Sequence, residues 1–176
     1  MRIYEGAPRQ DYEEVLRSIG AILDQRGMRE IVLIETADGF LVQGLAAVAV
    51  AGEDAWTDTA GGVEKQSFSL TDEDVAKLVD DALARRALPA PIDGHSRFYQ
   101  RALRVLGRYF DEQKPRDVFL FEQDHAFVVR LLMPTRTGTA HVLAEFTRED
   151  IEVLMSSGAS LRQPAYPAAR DHTPAG

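Results

Sequence analysis

The chain has 176 residues, 45% hydrophobic and 27% charged, which is the balance of a globular α+β protein long enough to bury a sizeable core. Its net charge of −8 argues against a dedicated DNA binder, since neutralising phosphates supplies most of that affinity. It has no cysteine, which excludes disulfides, thiolate zinc sites and cysteine nucleophiles and fits a reducing, cytoplasmic setting. Met1 to Gly6 lacks the apolar run of a secretory signal. The longest apolar stretch, 40–52, has 13 residues including Gln43, too short for a membrane span. The acidity is lopsided: residues 1–87 hold 17 acids against 9 bases, and residues 88–176 hold 11 of each.

In chain order, the first element is a helix, with Tyr12, Val15, Leu16, Ile19, Ile22 and Leu23 on one stripe. Ile31 to Ile34 reads as a strand that is apolar on both faces, and Ala37-Asp38-Gly39 as a turn. A second strand starts at Phe40 and a third lies near Gln66 to Leu70. Thr71-Asp72-Glu73-Asp74 opens a helix, the threonine capping free N–H groups and the acids favouring the positive end of the dipole.

The same order then recurs. Tyr12 to Leu45 aligns with Tyr99 to Leu132 at a constant offset of 87, with 11 identities in 34 pairs. These include Tyr12/Tyr99, Gly20/Gly107, Asp24/Asp111 and Glu35/Glu122. Leu70 to Leu78 aligns with Phe146 to Leu154 at an offset of 76, so the first copy carries an insertion between about Ala47 and Glu64. The second copy's strands are read at Val118 to Phe121, from Phe127, and at Ala140 to Phe146.

The expected architecture is a tandem duplication of a helix-strand-strand-strand-helix unit, giving a six-stranded, mainly antiparallel sheet with helices on one face. The first repeat spans 1–87, a linker 88–98, the second repeat 99–162, and a Pro-rich, loosely ordered tail 163–176. The two repeats are expected to share one core as a pseudo-twofold domain, two adjacent small domains being the alternative.

Gly20 and Gly107 lie inside helices, where glycine is disfavoured by about 1 kcal/mol relative to alanine, so each marks the close approach of another backbone. The charges common to both copies, Arg17/Arg104, Asp24/Asp111, Arg29/Arg116 and Glu35/Glu122, read as polar pairs that orient helix against sheet.

Catalytic signals are absent: no GxSxG elbow, Walker sequence or GxGxxG occurs. His125 with Asp124, Glu122 and His141 is the one combination that could gather a metal, against the plainer reading of a polar hairpin turn, and no metal or cofactor is expected.

Two features differ between the copies. Arg97, Arg101, Arg104 and Arg108 form a cationic stripe on one helix, opposite its apolar face, while the insertion carries the sole tryptophan, Trp56, among acids. A solvated helix face is the bland reading of the stripe and a folded-back loop that of Trp56; both also suit binding of a protein partner, while phosphate or RNA binding by the stripe lacks the interleaved aromatics that stack bases. The function expected is thus a non-catalytic protein-binding or adaptor module, acting through self-association as a homo-oligomer or through an acidic partner, with no DNA and no membrane. The alternative is a small-molecule or nucleotide-binding protein, an enzyme among its forms, with a pocket between the repeats.

Overall fold

The computed structural model describes residues 11–47, 62–86 and 97–157. Its elements run α1 (Tyr12–Gln25), β1 (Arg29–Thr36), β2 (Gly39–Ala47), β3 (Val63–Thr71), α2 (Asp72–Arg86), α3 (Phe98–Gln113), β4 (Asp117–Gln123), β5 (Ala126–Thr135), β6 (Gly138–Phe146) and α4 (Arg148–Ser157). The protein is α+β, as the sequence pattern implies. Phe98, placed by the sequence at the end of the linker, already belongs to α3. Residues 88–96 of the expected linker, Trp56 with the rest of the insertion up to residue 61, and the 163–176 tail lie outside the described residues. Among the described residues, no helix is long and apolar enough to cross a membrane.

Local chemistry sets the element ends. Thr71 caps α2: its Oγ1 accepts the Asp74 N–H at 3.2 Å, and Asp74 reaches back to accept the Thr71 N–H at 2.9 Å. Thr147 and Asp150 form the same reciprocal pair at α4, with distances of 3.2 and 2.8 Å. α3 stops at Lys114, whose left-handed backbone directs its N–H to the Phe110 carbonyl at 2.8 Å. Asp124 and His125 both have positive φ, 50° and 66°, which is the primed turn whose twist suits a two-residue hairpin between β4 and β5.

The six strands form one sheet in the order β3-β2-β1-β4-β5-β6, and every pairing is antiparallel. Two meanders meet at the centre through a short β1–β4 ladder, Val32↔Phe121, Leu33↔Leu120 and Ile34↔Phe119. Because side chains alternate across a strand, Leu33, Leu120, Val42, Val129, Phe127 and Phe146 point to one face. These residues form a single buried cluster with Leu16 and Ile19 of α1, Val75 of α2, Leu103 and Phe110 of α3, and Ile151 of α4. All four helices therefore pack on the same side of the sheet.

α1 and α3 cross in direct backbone contact at their glycines. A Cβ added to Gly20 would stand 2.5 Å from the Tyr99 carbonyl oxygen, and one added to Gly107 would stand 2.4 Å from that of Tyr12. Neither helix has a side-chain cap from its own N-cap residue, Asp11 or Arg97. Each is capped by the other helix. Asp24 accepts the N–H groups of Tyr99 and Gln100 at 3.0 and 2.8 Å, and Asp111 accepts those of Tyr12 and Glu13 at 2.8 and 2.9 Å. A carboxylate on two orphan N–H groups at a positive helix end satisfies donors that would otherwise be stranded in a half-buried junction.

Two glutamates close the ends of the central ladder. Glu122 stands opposite Ile31, where another β1–β4 pair would fall, and accepts the Ile31 N–H at 3.3 Å and the Tyr99 hydroxyl at 2.5 Å. Glu35 stands opposite Val118 and accepts its N–H, together with the Tyr12 hydroxyl at 2.7 Å. Each carboxyl thus ties a helix to both halves of the sheet. Burial pushes the Glu35 carboxyl above its ordinary value, partly offset by the bond from Tyr12, and burial together with the facing glutamates raises both tyrosines.

Candidate functional site

The face of the sheet away from the helices is the largest feature left over once the core is assembled. On β1 and β4 it carries Val32, Ile34, Phe119 and Phe121, and none of these joins the buried cluster. β2 adds Leu41 and Leu45, and β5 adds Val128 and Leu132. All are half-buried, and the rings of Phe119 and Phe121 lie 5.7 Å apart, tilted by 54°. No described helix packs on this face.

Its margins are polar. β3 contributes Lys65, Ser67 and Ser69 at one edge, all exposed. At the other edge Arg130 donates to His141 Nδ1 at 3.2 Å, and Glu145 stands beside Val128. Two large apolar side chains break the rim: Leu143 of β6, opposite Arg130, is 64% exposed, and Val63 of β3 is 47% exposed. An apolar centre with a polar rim is the anatomy of a protein interface.

Polar chemistry concentrates elsewhere. Arg97, Arg101 and Arg104 are exposed and Arg108 is half-buried, so the stripe read from the sequence faces largely outward along α3. Arg104 is paired with Glu13 of α1 at 2.7 Å. Arg101 and Met155 border two adjoining hollows between α3 and α4, of about 420 and 210 Å³. Trp56, the other sequence candidate, lies outside the described residues.

The possible metal set is not brought together. Glu122 faces the helices and is taken up by Tyr99 and Ile31, whereas His141 lies on the opposite face against Arg130. Among the described residues, no group of three potential ligands is arranged to hold a metal. The acids shared between the two halves are engaged in the framework: Asp24 and Asp111 as cross-caps, Glu35 and Glu122 as ladder ends.

Sequence reasoning identified the open face only through β1 and β4, whose consecutive apolar residues cannot all point inward. The same signal is present at Phe40-Leu41-Val42, where both faces of β2 are apolar, but a single strand does not reveal which residues from β5 stand beside it. No family model, curated protein or solved structure matches the chain.

Proposed function

We propose that the protein is a non-catalytic protein-binding module, built by tandem duplication of one αβββα unit, that associates with a second copy of itself through the outer sheet face. The observation that carries this reading is the apolar centre formed by Val32, Ile34, Phe119 and Phe121 on a face that no described helix covers. Six strands about 4.8 Å apart and about 25 Å long give a footprint of roughly 600 Å² before side-chain relief. A standard interface removes about 800 Å² per partner, so one such face is of the size a stable dimer needs.

Self-association is favoured over another occupant by the internal symmetry of the face. Leu33 and Leu120, separated by 87 positions, pair directly at the middle of the β1–β4 ladder. At the same separation, Val32 corresponds to Phe119, Ile34 to Phe121, Leu41 to Val128 and Leu45 to Leu132. A half-turn about that centre maps apolar positions onto apolar positions, so a second copy laid face to face meets an apolar position from either half, and the same patch can serve both partners of an isologous contact. The pairwise identities at this spacing, and the equivalent bonds of Tyr12–Glu35 and Tyr99–Glu122, support the duplication.

The test is multi-angle light scattering across a concentration series, comparing the natural chain with Phe121→Glu. The expected result is a mass twice that of one chain, falling to a single chain in the variant with its circular dichroism unchanged. A natural chain that stays monomeric at high concentration would overturn the reading.

A further inference from the structure

The cationic stripe of α3 has a geometry that the outer face does not use. Arg97, Arg101, Arg104 and Arg108 succeed one another at four-, three- and four-residue steps on the side of α3 that borders α4. The larger hollow in this groove holds Phe98, Arg101 and Met155; the smaller holds Arg101, Val105 and Leu154. Sharing Arg101 and Met155, the two form one trough with apolar side chains along its floor and guanidinium groups along its wall.

We propose that this trough seats an acidic amphipathic helix of a partner protein. The eleven residue steps from Arg97, at the N-cap of α3, to Arg108 extend about 16 Å, or three turns. A guest helix laid alongside repeats its own acids every three or four residues, so its carboxylates can keep step with the arginines while its apolar stripe meets Met155 and Leu154. Planar guanidinium groups suit carboxylates because they present two parallel donors. Arg101 is exposed and, among the described residues, carries no ion pair, so it is placed to receive one. Its neighbour Arg104 is already anchored by Glu13, which fixes the wall of the smaller hollow.

A peptide fits better than a nucleic acid. Glu13 and Glu152 also border the trough, and a chain with a charge on every phosphate would meet them wherever it lay. A helix can place its carboxylates only beside the arginines and offer apolar side chains elsewhere. No outer-face residue lines the trough, so this binding and the self-association above can fail separately.

Fluorescence anisotropy with three labelled probes tests the proposal on the full chain. The probes are an 18-residue helix with leucines on one stripe and glutamates flanking it, the same helix with lysine for glutamate, and an 18-nucleotide oligothymidine. The glutamate helix is expected to bind at least about tenfold more tightly than either other probe. Its affinity is expected to fall about tenfold or more between 50 and 300 mM salt, because exposed ion pairs are screened over this range. Arg101→Glu and, independently, Met155→Glu should each weaken it about tenfold, with unchanged melting as the control for folding. If Arg101→Glu shifts the melting, Arg101→Gln takes its place. Equal binding of the lysine helix, tighter binding of the oligonucleotide, or an affinity indifferent to both substitutions would overturn the proposal.

Discussion

Gly20 of α1 lies so close to Tyr99 of α3 that a single added methyl group would overlap the Tyr99 carbonyl, at 2.5 Å from its oxygen. Gly107 repeats this against Tyr12 at 2.4 Å. The obstacle is backbone in both cases, so no side-chain rotation can make room.

Gly20→Ala and Gly107→Ala should therefore each destabilise the protein, although alanine favours a helix over glycine by about 1 kcal/mol. Overpacking typically costs about 1–3 kcal/mol, and a clash with backbone belongs at the upper end, leaving a net loss of about 2 kcal/mol. Urea unfolding reads this directly. A stabilising effect at either position would show that the helices do not meet at their glycines.

The cross-caps predict a coupling between distant residues. Asp24→Ala strands the N–H groups of Tyr99 and Gln100, and Asp111→Ala strands those of Tyr12 and Glu13. Loss of an N-cap costs about 1–2 kcal/mol, so each substitution should lower stability by that amount. Because the helices share one junction, the double variant should lose less than the sum of the two single losses. Hydrogen exchange at Tyr99 and Gln100 should quicken in Asp24→Ala specifically; protection unchanged there would contradict the assignment.

Glu35 gives a pH dependence with a definite sign. Burial raises its carboxyl above the ordinary 4.5, so the folded protein holds this proton more tightly than the unfolded chain does. Its contribution to stability is complete below 4.5 and is lost as pH rises through the raised value. Glu35→Gln, which retains an acceptor for the Tyr12 hydroxyl but cannot ionise, should flatten the decline in stability as pH rises above 4.5. Denaturation midpoints measured every half unit of pH check this. A slope identical to that of the natural chain would place the titration elsewhere. Glu14 acts in the opposite direction: burial pushes it up, but the hydrogen bond and charge of Arg86 more than offset this, so its contribution is lost as pH falls.

The sequence made the framework legible wherever a residue type has few structural uses. A glycine within a good helix implies a close backbone, and Gly20 and Gly107 fulfil that. Thr71 and Thr147, each with an aspartate three residues on, imply caps, and both cap. By residue type Asp24 and Asp111 suit polar pairs, yet their partners are backbone N–H groups 75 to 99 residues away, which no local pattern encodes. The outer face was half legible for the same reason. Ile31 to Ile34 shows that some apolar groups must face outward, but only the register Val32↔Phe121 and Phe121↔Val128 assembles them into one surface.

The outer face can be probed most directly by thiol reactivity, because the chain has no cysteine of its own. Leu41→Cys places a single thiol on that face, and Lys77→Cys places one on α2, on the far side of the sheet. On the account given above, labelling of Cys at position 41 slows markedly as protein concentration rises, while labelling at position 77 keeps a constant rate. Equal, concentration-independent rates at both positions would contradict it.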